Sequence, residues 1–533
     1  MTIKHILAAV VLLGAPPASA LGQFSPAGPE FQVNTYTTNS QAGSCIAADR
    51  TGDFIVAWSS FGQDGSGLGV FGRRFDSAGA PLGGEFDVNT YTNGNQFGPA
   101  VAIDGSGNFV VVWNSFGQDG SDYGVFARCF DSAGAALGGE FQVNTYTASF
   151  QAGPSVATDD LGNFVVVWTS YAQDGSDSGV FGHRFDCASA PVGGEFQVNT
   201  YTTGFQGNPS VAINGSGNSV VVWVDLDGSG GGVVAQRFDS TGASVGSEFQ
   251  VNTYTTGEQY DPSVAIDGLG KFVVVWTSFG QDGSNYGVFA RGFDGAGTPL
   301  GGEIQVNTYT TNNQLRPSVA PDGLGNFVVA WGGYGEDGSS FGVFARRIDG
   351  AASPLGGEFQ INTYTTGSQH FPTIAFDGSS GFVASWTSNP QDGSSSGVFG
   401  QRFCADLDSD SLCNDEDVVL TGPLAGDGVD CSNPAVIQPV VSWDAGNYER
   451  FRVLIASDPN FTSGTQVTSG DRLLTSTTYT PPPKKWKSAC KKALSVNPSS
   501  PVLYIKVLGV DVDVPKSDPN RKTFSQVVQV TVQ

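Results

Sequence analysis

The 533-residue chain carries 50 acidic against 25 basic side chains, a net charge of −25, yet only 14% of its residues are charged, against about 25% in ordinary soluble domains. The acidity therefore reflects scarce lysine and arginine, which disfavours nucleic acid and anionic membranes as partners and suits solubility and divalent cations. Three histidines leave little material for imidazole chemistry, and no run approaches the twenty apolar residues of a membrane span.

In chain order, residues 1–20 read as a secretion signal. Lys4 and His5 precede the apolar run Ile6 to Gly14, and Ala18-Ser19-Ala20 supplies a small-residue cleavage site. Export and a soluble, extracellular destination are expected, with periplasm or cell surface also open.

A repeat follows. Tryptophans at 58, 113, 168, 223, 276, 331 and 386 recur every 55 residues, with one step of 53. Such a period is the mark of one supersecondary unit stacked on itself. In the second copy the expected strands are Pro99–Asp104, Phe109–Trp113, Gly124–Asp131 and Glu140–Asn144. Gly-rich turns join them, and Phe109-Val-Val-Val-Trp113 is apolar on both faces, as a sheet between two neighbours requires. Abundant glycine (74 residues) fits short strands and tight turns. The fold class is therefore all-β: a seven-bladed β-propeller of four-stranded blades. A lone outer-strand segment, Pro29 to Asn34, precedes the first full set, and the last set, Pro372 to Phe403, stops after three strands. The N-terminal strand is expected to close the last blade and remove the open edges.

The tandem VNTYT…FVVVW…QDGS…GVF…RFD units, from 29 to 404, resemble those of exported bacterial tandem-repeat proteins. The resemblance implies an extracellular propeller and no particular reaction. WD40 and kelch signatures are absent, and the dense Asp-x-Asp-x-Asp loops of integrin-type calcium repeats do not recur.

Three repeated polar sets are ligand-binding candidates: Asn34, Asn89, Asn144, Asn199, Asn252, Asn307 and Asn362; Gln41, Gln96, Gln151, Gln206, Gln259, Gln314 and Gln369; and the loop acids Asp64, Asp119, Asp174, Asp282, Asp337 and Asp392. Propeller topology puts the Gln- and Asp-bearing loops on one face. Amides, carboxylates and neighbouring tyrosines such as Tyr36 and Tyr91 suit a hydroxyl-rich ligand, bound weakly many times over. A repeated turn or inter-blade hydrogen bond needs the same residues, and that scaffold reading weighs more. The tryptophans are read as inter-blade packing, and the recurring Arg74, Arg184, Arg237, Arg347 and Arg402 as scaffold.

No catalytic set emerges. His183 and His370 occupy different repeat positions, and neither GxSxG nor HExxH occurs. A carboxylate pair for glycoside cleavage stays open, since such pairs meet only in space. The fourth copy departs most, with Ser219 and Val234 in place of phenylalanines, a two-residue deletion, and Asp225-Leu-Asp227 in the loop.

Asp406, Asp408, Asp410, Leu412 (through its carbonyl), Asn414 and Asp417 have the spacing of a calcium loop. The segment resembles thrombospondin type 3 and dockerin modules, although Ser411 replaces the turn glycine and Asp417 the longer glutamate. Calcium, as a structural ion stiffening the junction, is the cofactor implied. Beyond it, Pro439–Trp443, Arg450–Ile455, Val502–Lys506 and Phe524–Val532 alternate as sandwich strands, resembling a fibronectin type III module. A lysine run, Lys484 to Lys492, surrounds Trp486. The expected organisation is thus a signal (1–20), propeller (21–404), acidic calcium-loop linker (405–431) and β-sandwich (432–533). Of seven cysteines, Cys404, Cys413, Cys431 and Cys490 follow the repeats, with Cys404–Cys413 and Cys431–Cys490 the favoured pairing; the odd total leaves at least one thiol over if the rest pair. The function expected is secreted, non-catalytic binding or adhesion, to extracellular glycan first and a surface protein second. A propeller hydrolase or lyase acting on polysaccharide, and a structural matrix role, are the alternatives.

Overall fold

The structure is a computed structural model. It describes residues 24–404 with their side chains, apart from 187–190, 226–229, 324 and 379–380, and the backbone of several strands beyond. Every regular element among the described residues is a β-strand, and no helix is long and apolar enough to cross a membrane.

Seven antiparallel sheets follow one another along the chain from Phe24 to Ala405. In the second, the strands run Gln96–Ile103, Phe109–Phe116, Tyr123–Phe130 and Phe141–Gln142, in that order from the axis outward. The first strands of consecutive blades pack against one another around the whole ring, the seventh against the first. This is the seven-bladed propeller. Seven of the eight residues of Phe109–Phe116 are buried, as its two-sided apolar pattern demands. The turn before it is built by Asp104, whose Oδ1 accepts the N–H groups of Ser106 (2.8 Å) and Asn108 (2.9 Å).

Two details differ from expectation. The first strand starts three residues earlier, at Gln96, because a bulge between Phe97 and Ala100 lets it continue past the glycine. The outer strand is only two residues long in six blades, since Val143 and its counterparts turn inward to a single further backbone bond; in the fourth blade it runs Ser244–Gln250.

Closure follows the sequence reading. Phe31 and Gln32 pair with Gly400 and Phe399, and the Val33 N–H donates to the Val398 carbonyl at 2.8 Å. An additional strand, Gln23–Pro26, joins the same edge. The chain's start thus holds its last blade.

Between blades lies the core. All seven tryptophans have no exposed surface, and six share a cluster with the preceding blade: Trp113 with Ile55, Ala57 and Val70, for example, and Trp58 with Val383 and Val398. At the other end of the sheets phenylalanines stack in pairs, such as Phe109 on Phe130 at 5.0 Å. Cys45 is the free thiol among the described residues, while Cys129 and Cys404 are in disulfides. The other four cysteines lie outside the described residues.

A separate unit begins at Asp406. Its described backbone forms a three-stranded sheet (Leu420–Gly422, Val441–Trp443, Thr478–Tyr479) and a second sheet centred on Val502–Val510 and Phe451–Ala456. Asp408, Asp410, Leu412, Asn414, Asp417 and the lysine run lie outside the described residues, as does the signal segment.

Candidate functional site

The amide sets are built into the frame. The seven asparagines are 2–4% exposed and the seven glutamines 0%. Asn144 Oδ1 accepts the Val125 N–H at 2.8 Å, while its Nδ2 donates to the Tyr146 carbonyl (2.9 Å) and to Gln151 Oε1 (3.3 Å). Gln151 Nε2 donates in turn to the Ala148 carbonyl at 2.9 Å. In six blades the Asn–Gln pair therefore pins the crossover from one blade's outer strand to the next blade's inner strand; Asn199 and Gln206 hold theirs without bonding each other. His183 is equally structural: its Nδ1 meets the Val143 carbonyl at 3.0 Å, as Arg73 and Arg128 meet those of Val33 and Val88.

The loop acids lie at the same end of the blades. Asp119 Oδ1 caps its turn by accepting the Ser121 N–H at 3.0 Å. In all six loop acids Oδ2 is buried without a hydrogen-bond partner among the described residues. It lies 2.6–2.8 Å from where a Cβ would stand on Gly69, Gly124, Gly179, Gly287, Gly342 and Gly397, so glycine alone fits there. In the fourth blade Asp225 instead accepts Gln206 Nε2 at 2.9 Å.

The blades differ at one place on this end. The residue pair after each buried glutamine reads Ala42-Gly43, Phe97-Gly98, Ala152-Gly153, Gly207-Asn208, Tyr260-Asp261, Leu315-Arg316 and His370-Phe371. Its second member is the bulge residue, and all seven hold left-handed backbone, with φ from 51° to 64°. Glycine takes that conformation freely; other residues pay about 1–2 kcal/mol, less for Asn and Asp. Four consecutive blades nonetheless carry Asn208, Asp261, Arg316 and Phe371 there. A Cβ at Gly43 or Gly153 would meet nothing within 4 Å, so there the position opens onto free space, whereas at Gly98 it would stand 2.8 Å from Asn114 Nδ2.

Three of these side chains form a line across blades five to seven. Arg316 Nε is 3.9 Å from Asp261 Oδ2, and the guanidinium lies 3.8 Å from the centre of the Phe371 ring. His370 packs on Phe371 (4.5 Å between rings), and its Nδ1 is 3.2 Å from Ser368 Oγ. Burial, then the Arg316 charge, lowers the His370 pKa below its ordinary value, favouring neutral imidazole. Burial raises the Asp261 carboxyl, with Arg316 opposing, and burial beside Tyr286 raises the Tyr260 phenol. Beneath the line, Leu315, Arg316, Gly332, Phe341, Ser368, His370 and Phe371 enclose a cavity of about 260 Å³.

Exposed aromatics surround this end. Phe61 (48%), Phe116 (44%), Phe279 (43%) and Tyr334 (41%) end the second strands of their blades. Reading for shared residues passes over both features; the signal for the first lay in what varies after each glutamine.

No family model matches the chain, and no curated protein matches it. Similar solved structures include a protein of unknown function from Dyadobacter fermentans (11% identity, 72% of this chain and 99% of that one, TM-score 0.44). Others are a fungal alcohol oxidase of the AA5 family in complex with copper (14%, 96% and 100%, TM-score 0.44) and a PL25 ulvan lyase (9%, 71% and 96%, TM-score 0.44). The likeness is one of fold alone.

Proposed function

We propose that this protein is a secreted, non-catalytic recognition propeller that binds extracellular glycan on the face where the inner strands begin, centred on blades five to seven. The carrying observation is the bulge position. Four blades retain strained side chains where three have relaxed glycine, and a cost kept at one open place on a repeated scaffold points to a ligand contact. The exposed aromatic residues on the same face suit the apolar faces of sugar rings. One asymmetric site stands in place of the multivalent binding weighed for the repeated amides, whose polar atoms, Gln206 Oε1 apart, are engaged in the frame.

A second reading, hydrolysis or elimination on a polysaccharide, is favoured by one observation. His370, inclined to neutrality, stands with Arg316 and Asp261, so a proton acceptor, a cation and a carboxyl group share one place.

The test is a glycan array probed with the mature protein and with a variant carrying Ala-Gly, the first blade's pair, at 260–261, 315–316 and 370–371. Loss of binding in a variant that still folds supports the site; undiminished binding removes it. New reducing ends or unsaturated products from a bound polysaccharide would replace recognition by catalysis.

A further inference from the structure

The cavity between blades six and seven is lined at one place by a glycine where other blades carry a side chain. At the position after the tryptophan, other blades carry Ser59, Asn114, Thr169, Val224, Thr277 and Thr387; the sixth carries Gly332. In five of them the side chain accepts the next blade's bulge N–H: Ser59 from Gly98 (3.1 Å), Asn114 from Gly153 (3.0 Å), Thr169 from Asn208 (3.0 Å), Thr277 from Arg316 (3.2 Å) and Thr387 from Gly43 (3.2 Å). Gly332 offers the Phe371 N–H no such acceptor. A Cβ on Gly332 would stand 3.6 Å from the Phe341 ring and 3.8 Å from the Leu315 carbonyl, within the walls of the cavity.

Leu315, Phe341 and Phe371 make those walls largely apolar. The Arg316 guanidinium forms no hydrogen bond with a described residue; its nearest carboxylate is 3.9 Å away at Nε, and its side chain is 50% exposed. An arginine fork that rests on the Phe371 ring with its N–H groups making no such hydrogen bond, over an apolar cavity, matches a planar anion joined to an apolar body. A neutral sugar would leave the guanidinium charge unanswered.

We propose that this cavity binds a carboxylate carried on a flat apolar ring, with the carboxylate on the Arg316 guanidinium and the Phe371 N–H and the ring between Leu315, Phe341 and Phe371. The cavity, about 260 Å³, accommodates one such group. This goes beyond glycan recognition, since it names a small acid as a ligand of the cavity itself; because Arg316 and Phe371 belong to both, acid and glycan would compete there.

Titration calorimetry of the mature protein with phenylacetate, 2-phenylethanol, acetate and glucuronate tests it. Phenylacetate should bind at least tenfold more tightly than each of the others. Arg316→Gly, which takes the residue of three other blades at this backbone position, should erase the preference over phenylethanol. Gly332→Thr, which restores the residue of the fifth and seventh blades, should abolish phenylacetate binding with Arg316 intact. Equal binding of phenylethanol overturns the carboxylate contact, equal binding of acetate or glucuronate overturns the apolar one, and no binding of phenylacetate, or binding unchanged in both variants, overturns the proposal outright. Failure here with glycan binding still lost in the Ala-Gly variant leaves the recognition site standing.

Discussion

Glu336 stands against Glu358 in the sixth blade, where five other blades set a glutamine against the equivalent glutamate. Gln63 Nε2 donates to Glu85 at 2.7 Å, Gln118 to Glu140 at 2.7 Å and Gln281 to Glu303 at 2.6 Å; Gln173 and Gln391 pair with Glu195 and Glu30 likewise. Those glutamates also accept backbone N–H groups of the preceding crossover, as Glu358 does from Thr308 and Tyr309. With a carboxyl in place of the amide, the pair needs a proton to keep the contact. Burial first, then Glu358, raises the Glu336 pKa from 4.5 to about 8. The folded state therefore binds a proton that the unfolded chain releases near pH 4.5, and this stabilisation is lost as pH rises towards 8. Glu336→Gln should remove that loss. Thermal melts at pH 5 and pH 8.5 should show a smaller difference in the variant, by about 1–2 kcal/mol after allowance for solvent screening. Equal pH dependence in both proteins would count against the shared proton.

Strain at the bulge makes an unusual stability prediction. Phe371 holds φ 58°, and a β-carbon there costs about 1–2 kcal/mol, partly offset by the greater unfolded-state freedom of glycine. Phe371→Gly deletes a large side chain, yet it should leave stability unchanged or raise it by up to about 1 kcal/mol while weakening ligand binding. Chemical denaturation alongside the glycan array measures both. A loss above about 2 kcal/mol would mean that Phe371 packs for the fold rather than for a ligand.

How far the sequence speaks depends on whether its signal is shared or differs among blades. The tryptophan period, the two-faced Phe109–Trp113 run and the complementary ends are repeated, and each found its place: inter-blade core, second strand and closure. Bulges were not legible: the second copy's first strand is expected to begin at Pro99, after Gly98, and Asn208 to Phe371 gave no hint of left-handed backbone. Segments like Glu140–Asn144 looked like full strands but contribute two paired residues, since Asn144 turns its side chain onto Val125 and ends the ladder. The candidate site escaped for the same reason that the fold was plain. Near-identity across copies describes the frame, while a single site is written in the departures, and Gly332, where every other blade carries a side chain, is one of them.

Closure by the N-terminal strand implies that the ring depends on residues distant in sequence from the blade they complete. Val33 is fully buried, and Glu30 ties the same segment to Thr363 at 2.7 Å. Removing residues 21–34 would strip the Gly397–Asp406 strand of its outer partners and expose an unpaired edge. The truncated protein should lose cooperative unfolding or aggregate, and Val33→Ala in the intact chain should cost about 1–3 kcal/mol. Size-exclusion chromatography and thermal melts read the two effects; a monomeric truncation with the full melting temperature would argue against a strand-closed ring.

The fourth blade offers the reverse experiment, repair of a departure. Ser219 pairs with Phe238 in the register that sets Phe109 against Phe130 and Phe272 against Phe293. Those phenylalanines stack at 5.0 Å, whereas Phe238 has no ring opposite it in its own sheet. Ser219, Arg237, Phe238, Ile266 and Phe272 instead border a cavity of about 280 Å³. It lies at the end of the blades opposite the bulge residues, where the stacked phenylalanines of the other blades sit. Ser219→Phe would restore the stack, bury a ring and fill that space, which should add about 1–2 kcal/mol. The ligand face should be unaffected. A melting temperature that rises with unchanged glycan and phenylacetate binding would mark the cavity as a packing defect. A fall in stability would show that Arg237 and Val245, which also line it, have repacked around serine and that the ring no longer fits.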